Sequence, residues 1–458
     1  MIENDAFKLL LINLFHLNPD DIANIFCTTF NKMMVLIVTL ADKHQACPYC
    51  GFTAPKIKEY VTKEITHSAL TTQKCIIKYR ARRYKCPCCG KTYYEFNPFV
   101  FKSQKISILT VHNILKDLKD FNETFTSVAR RYHVSPTSVS TIFDNHVDIG
   151  RNPLPEIINF DEVYAFKSEK SKYVCVLLDF KKQIPVDVLP NRKKEYLLNY
   201  FQKIPLEERK KVKYACSDMY EVYRDVVHKV FPCSCMLLDY FHLSQDFHRK
   251  MNEVRIKVMK GYKDDKASDE YYLLKKFNWL LFKNPEDEDK YGRLFDVERE
   301  RKYNSHFKSY MNYYDLRRKL LEINNNITIC YSLKLELVDF YSKSTIDNAQ
   351  VNLEHLIRSC IDTNIEEMIA FSNNLINWKQ EIINSFTIVG TEYKVEADKG
   401  QVVVCNKKVN NAIIENRNKI IKCIKNNANG YTNWSRFRNR VMYVLDPNTT
   451  FSLEPREK

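Results

Sequence analysis

Between Glu156 and Asp239 the chain alternates short apolar runs with two helical stretches, and that order leaves few folds open. Residues 157–166, 173–180 and 184–189 have the length and β-branched content of strands, the last two joined across Lys181-Lys182-Gln183. A helix is expected over 193–203, a fourth strand over 212–217, a helix over 220–230 and a fifth strand over 235–239. Asp161 follows Ile157-Ile158-Asn159-Phe160, and Asp218 follows Val212-Lys213-Tyr214-Ala215-Cys216-Ser217. A third acid, Glu415, lies far downstream in the amphipathic stretch 411–422. Carboxylates gathered this way suit magnesium, which prefers hard oxygen ligands and keeps several waters or phosphate oxygens. Two such ions stabilise the attacking and the leaving oxygen of an in-line phosphoryl displacement.

Three strands, helix, strand, helix, strand is the order of a ribonuclease H-like mixed sheet. It would put Asp161 on a central first strand and Asp218 just beyond the neighbouring fourth. Residues 243–385 read as almost wholly helical and rich in Lys, Glu, Tyr and Asn, with a hairpin expected at 386–389 and 401–404. The fold class expected is therefore multidomain α/β, a mixed sheet core carrying a large all-α insertion. Acids at strand ends are common on any α/β fold. On a helix, Glu415 would share one side with Ala412, Lys419 and Lys422, which reads equally well as a solvated stripe.

Two further signals precede the sheet. Cys47-Pro48-Tyr49-Cys50-Gly51 and Cys86-Pro87-Cys88-Cys89-Gly90 are paired knuckles, with 35 residues between Cys50 and Cys86. Each aims two thiolates at one ion, so Cys47, Cys50, Cys86 and Cys89 are the expected ligands of a structural zinc, with Cys88 spare. Residues 75–84 between them alternate like a strand, giving a zinc ribbon with a long insert. From 105 to 148 the pattern is helical, and 125–143 has helix-turn-helix spacing. Ser135 suits the cap of the second helix and Pro136 its first position, while His133 stands where the turn often has glycine. That helix would offer Ser135, Thr137 and Ser138 to DNA. An inert three-helix core has the same spacing.

The charge is +15, and residues 43–150 hold 17 Lys and Arg against 8 Asp and Glu, a net +9. Such concentration favours a polyanion, because neutralised phosphates release counterions. A solubility charge, or the lysine bias of an AT-rich genome, gives the same count. The DNA-contacting candidates are Arg80, Arg82, Arg83, Arg130 and Arg131. The longest apolar stretch covers only eight positions, 33–40, against about 20 for a membrane span. No signal-peptide pattern opens the chain, and the 15 cysteines, outside the knuckles, sit mostly in apolar surroundings. A cytoplasmic protein is expected.

Four motifs in order carry a resemblance: Asn159-Phe160-Asp161-Glu162, Ser217-Asp218-Met219-Tyr220-Glu221-Val222-Tyr223, Asp239-Tyr240-Phe241-His242, and Asn411-Ala412-Ile413-Ile414-Glu415-Asn416-Arg417-Asn418 followed by Gly430-Tyr431. Together the chain resembles the ISL-three family of bacterial insertion-sequence transposases, of the DDE class, over nearly its whole length. The resemblance implies a ribonuclease H-like catalytic domain, with Asp161, Asp218 and Glu415 as a catalytic triad holding two magnesium ions, manganese being the alternative. Asp239 and His242 match a family motif of supporting role. Asn416 departs from the glycine or serine more usual there, without removing a triad member. The implied partners are the terminal inverted repeats and a target DNA, with a homodimer in the DNA complex and no membrane. The division expected is 1–100 zinc ribbon, 101–150 helix-turn-helix, 151–242 first part of the core, 243–385 insertion and 386–458 last part of the core. The competing readings are a DNA-binding transcription regulator or domesticated transposase lacking catalysis, and a nuclease of the same fold that cuts without joining.

Overall fold

Two long antiparallel strands carry the cysteine knuckles to one place. In the computed structural model, which describes residues 2–43, 45–70, 72–101, 104–166, 171–395 and 402–456, helix α1 (Ile2–Leu14) packs Leu11 and Ile12 on a five-stranded sheet. The strands are β1 (Ile22–Phe30), β2 (Met33–Leu40), β3 (Lys56–Thr66), β4 (Cys75–Lys85) and β5 (Thr92–Tyr94), in the order β1-β2-β4-β3 with β5 on β4. Lys56 pairs with Lys85, so β3 starts just after one knuckle and β4 ends at the other. Strands β2 and β4 follow the apolar runs of the sequence. Strand β3, an exposed outer strand carrying Lys58, Glu59, Lys63 and Glu64, has no such run to betray it.

Three helices come next, α2 (Ile108–Asp117), α3 (Phe125–Arg131) and α4 (Pro136–His146). Thr124 and Ser127 close a capping box at the start of α3, and Ser135 caps α4 with Pro136 in its first turn. His133, in the turn between them, takes a positive φ of 55°, a conformation that glycine adopts more easily. The trio does not hold its own apolar core apart. Val111, Val128, Val139 and Phe143 form one cluster with Ile414, Ile421, Phe437 and Val441 from the C-terminal helices α15 (Ala412–Asn427) and α16 (Trp434–Leu445).

The second five-stranded sheet is mixed. Its strands are β6 (Ile157–Val163), β7 (Val174–Asp179), β8 (Pro185–Leu189), β9 (Tyr214–Ser217) and β10 (Cys235–Leu238), in the order β10-β9-β6-β7-β8. Strands β6, β7 and β8 are antiparallel neighbours, whereas β9 runs parallel to β6 and β10 parallel to β9. Helices α5 (Lys194–Gln202), α6 (Leu206–Arg209) and α7 (Glu221–Val230) fill the connections. Alternation along β6 sends Ile158 and Phe160 into a core with Leu197 and Phe201 of α5 and with Tyr223 of α7. Ile157, Asn159 and Asp161 therefore face the other side.

After β10 the chain enters a helical block of α8 (Tyr240–Lys260), α9 (Asp269–Lys276), α10 (Tyr313–Glu322), α11 (Asn325–Lys343), α12 (Ala349–Asp362), α13 (Glu366–Asn377) and α14 (Lys379–Asn384), with its own large apolar core. It departs from the helical expectation between α9 and α10. There two short hairpins form, β11 (Glu288–Asp289) with β12 (Gly292–Arg293) and β13 (Lys302–Asn304) with β14 (Ser309–Met311). The hairpin of β15 (Ile388–Val395) and β16 (Val402–Lys408) returns the chain to the sheet; Gln401, in its expected second arm, lies outside the described residues. Helices α15 (Ala412–Asn427) and α16 (Trp434–Leu445) complete the fold.

Candidate active site

Register alone brings three acids level. Ile157, Ile158 and Asn159 of β6 pair with Tyr214, Ala215 and Cys216 of β9, and Tyr214–Ser217 pair with Cys235–Leu238 of β10. Continued along the strands, the same offsets put Asp161, Asp218 and Asp239 side by side at the carboxyl ends of three adjacent parallel strands. Open α/β sheets present ligand crevices at that edge. Cys216 and Leu237, two residues earlier on their strands, sit in a small cluster with Val409 and Ile413 on the α15 side. The acids therefore share that face.

Helix α15 is fixed over them by amides. Asn159 Nδ2 donates to Asn411 Oδ1 at 2.7 Å and to the Asn410 carbonyl at 2.8 Å, and two helical turns on, Asn418 Nδ2 donates to Asp161 Oδ2 at 2.7 Å. The inward face of α15 carries Ile414, Asn418, Ile421 and Ile424, whereas Lys419 and Lys422 are exposed. Glu415 borders that inward face. Its Oε1 lies 3.8 Å from His242 Nε2, which lies 3.9 Å from Asp239 Oδ2. The ligand atoms of Asp239, His242 and Glu415 all fall within 4.8 Å of one another. Among the described residues Asp161, Asp218 and Glu415 do not form so tight a set. His242 enters because α8 begins at Tyr240, placing it in the first turn, three residues from Asp239.

Burial dominates the electrostatics. It pushes Asp161 up to about 7, partly opposed by the Glu162 amide on its Oδ1 and reinforced by the charge of Asp218. Burial and then Glu162 push Asp218 up to about 6, against the pull of His242 and Arg192. Burial also raises Asp239, with His242 pulling the other way. Two carboxylate oxygens, Asp218 Oδ1 and Asp239 Oδ2, are buried without a hydrogen-bond partner. Glu162, by contrast, is ion-paired with Arg192 and accepts from the Tyr223 hydroxyl at 3.2 Å. Opposite faces of β6 thus give two adjacent acids different company.

A family model described as Transposase, of the DDE and ISL3 type, matches residues 158–397, which is over half of the chain. The chain belongs to this transposase family. It is also 19% identical, over 409 residues covering 89% of this chain and 90% of the relative, to the transposase for insertion sequence element IS1001 of Bordetella parapertussis. The matched segment of this transposase contains Asp161, Asp218, Asp239 and His242 and ends before Glu415.

The remaining candidates of the transposase divide by their partners. The Sγ atoms of Cys47 and Cys89 are 3.7 Å apart and those of Cys50 and Cys86 3.5 Å, and all four could hold one metal ion. Both knuckles turn alike: Gly51 (φ 74°) and Gly90 (φ 71°) take the left-handed conformation, and their amides bond to Cys47 and Cys86 carbonyls. Arg82 is bound to Glu95 at 2.7 Å and to two backbone carbonyls, Arg83 to Glu59 at 2.7 Å, and Arg131 to both Asp117 and Glu123. Those three guanidiniums are engaged inside the chain. Arg80, stacked 4.8 Å over Tyr60, and Arg130 are exposed. Ser135 caps α4 and its hydroxyl meets that of Ser138 at 2.8 Å, leaving Thr137 exposed with Thr141 and Asn145 beside it in a shallow groove. Asn159, Asn411 and Asn418 all lie within the motifs read from the sequence, but no role was expected of them; the available signal was a pair of asparagines two helical turns apart.

Proposed function

We propose that this transposase cuts and joins DNA with two divalent ions on a ribonuclease H-like sheet, acting on the ends of a bacterial insertion sequence. The reading rests on one observation above all: Asp161 and Asp218 stand level under a helix whose first turn supplies Glu415. The strand order, three antiparallel strands followed by two parallel ones reached through helices, supports the same fold. Magnesium or manganese fits the donor set, since buried carboxylate oxygens without partners are costly and a cation relieves them.

In this reading Asp161 and Asp218 hold one ion, and Asp161 and Glu415 the second. When bound, the ions supply charge stabilisation for the attacking and leaving oxygens and lower the pKa of a bound water or 3′ hydroxyl. The chain's own work is alignment. Asn418 fixes Asp161 Oδ2, the Glu162 amide fixes Oδ1, and Asn159 with Asn411 sets the height of α15 above the sheet. Arg192 neutralises Glu162, keeping that acid out of the ion cradle. The first reaction is strand cleavage at the element's end and the second is attack of the freed 3′ hydroxyl on target DNA.

One structural zinc on Cys47, Cys50, Cys86 and Cys89 belongs to the same proposal. A tetrahedral ion with Zn–S of about 2.3 Å separates its sulfurs by about 3.8 Å, close to the spacings of 3.5 and 3.7 Å here. Helices α3 and α4 would read the terminal inverted repeats, with Arg80 and Arg130 on phosphates and Thr137 at the groove. A homodimer would pair the two ends, in the cytoplasm.

The test is joining of pre-cleaved terminal-repeat DNA to a target in magnesium. Asp161→Asn is expected to reduce joining by more than about 100-fold while repeat binding stays near wild type. Joining that survives the change takes Asp161 out of the mechanism, and cleavage without joining in the wild type replaces the transposase reaction by a nuclease one.

A further inference from the structure

Glu415, one of the proposed ligands, has two further donors converging on it, Asp239 and His242. Asp239 joins the end of β10 to the start of α8 as that helix's N-cap, His242 lies in the first turn of α8, and Glu415 lies in the first turn of α15, so each is held by a rigid element. Asp239 is only 4% exposed, yet its Oδ2 has no hydrogen-bond partner, and neither does the buried Nε2 of His242 that faces it. The imidazole nitrogen sits 3.9 Å from Asp239 and 3.8 Å from Glu415. Donors about 2.0–2.2 Å from a single ion lie about 3 Å apart when adjacent and about 4.3 Å when opposite. The observed separations fall inside that span.

Building on the two-ion reading above, we propose that the ion on Glu415 is completed by Asp239 and His242, making it a mixed nitrogen–oxygen site that selects manganese-type cations. Magnesium and calcium favour all-oxygen cages, whereas imidazole suits first-row transition metals. The other position, on Asp161 and Asp218, keeps oxygen donors only. The two sites then differ in preference, and His242 is a ligand in its own right. A protonated His242 bridging two carboxylates as a plain ion pair would produce similar distances, so the experiment must look at the nitrogen.

Full-length protein is loaded with Mn2+ in the absence of DNA and examined by electron spin-echo envelope modulation. The expected result is a 14N modulation from a directly bound imidazole, retained in Asp161→Asn and lost in His242→Asn. Mn2+ titration followed by EPR should show affinity reduced by at least about 10-fold in His242→Asn. Absence of nitrogen modulation in the wild type overturns the inference, and that reading does not depend on any variant folding. An unchanged Mn2+ affinity in a folded His242→Asn overturns it equally. Neither result touches the two-ion reading, which stands or falls on strand joining.

Discussion

At the scale of single residues, arginines of the same charge occupy opposite roles. Arg82 and Arg80 point to different surroundings two positions apart on β4. Arg82 is paired with Glu95 where both side chains are largely buried, and Arg80 lies open on Tyr60. Breaking a buried pair by removing one partner costs about 3–5 kcal/mol, so Arg82→Ala should lower the melting temperature sharply. Arg80→Ala should stay within about 0.5 kcal/mol of wild type and instead weaken DNA binding, reducing the slope against log salt by about 1. Melting curves and salt-dependent binding of both variants check the pair of outcomes. Lys334 offers a second case. It is buried in α11, donates to the Lys283 carbonyl at 2.5 Å, and burial pushes it down to about 8. An unfolded lysine titrates near about 10.4. Between those values the unfolded chain holds a proton that the folded one has released, so this group adds stability as pH rises through the window. The melting temperature of Lys334→Met relative to wild type should therefore decline from pH 8 to pH 10; a difference that is flat or rising with pH would contradict the burial of a chargeable lysine there.

At the scale of elements, the hold of α15 on β6 decides where Glu415 sits. Asn418→Ala removes the amide that fixes Asp161 Oδ2 and leaves the helix otherwise packed through Ile414, Ile421 and Ile424. Misplacement by about 1 Å can cost about 100-fold in rate, so joining should fall by about 10-fold or more while repeat binding is unchanged. Equal joining by the variant would show that the bond is not needed for alignment. This contact also marks the limit of what residue patterns reveal. The runs behind β6, β7, β8, β9 and β10 are apolar and bounded by charged or turn-forming residues, so their places and the levels of Asp161 and Asp218 were legible. Helix α15 was legible as a helix, but its inward face was not: Glu415 could be grouped with Lys419 and Lys422 because an amide such as Asn418 carries neither charge nor hydrophobicity to mark burial. Strand β3 escaped for the converse reason, being charged and exposed along most of its length. The two hairpins between α9 and α10 have strands of two or three residues, too short for any period to register.

At the scale of the whole molecule, the α2–α4 unit is built into the C-terminal helices. Phe143 packs edge-on against Tyr443 of α16, whose hydroxyl donates to the Leu115 carbonyl at 2.9 Å. Arg440, 1% exposed, donates to the carbonyls of Asp120 and Glu123 at 2.8 and 2.7 Å, satisfying the loop that leads into α3. Lys119 reaches the carbonyls of Asp446 and Thr449, and Arg436 holds Asp144 at 2.6 Å. Removing α15 and α16 would expose Val128, Val139 and Phe143 and take the Arg440 and Tyr443 donors from the Leu115, Asp120 and Glu123 carbonyls. Residues 104–150 produced alone should accordingly show helical content without a cooperative melt, since about 47 residues bury too little surface unaided. In the full chain, Arg440→Ala should lower the opening free energy of the α3 amides by about 2 kcal/mol or more, so that they exchange faster through local opening. A fragment that melts sharply with dispersed amide resonances would make the trio an independent module on a linker. The distinction bears on the chemistry. With the repeat on α2–α4 and the cut at Asp161, as proposed above, packing on α16 would set the distance from repeat to cut, and lengthening the segment around Gly150 should abolish joining rather than shift the cleavage point.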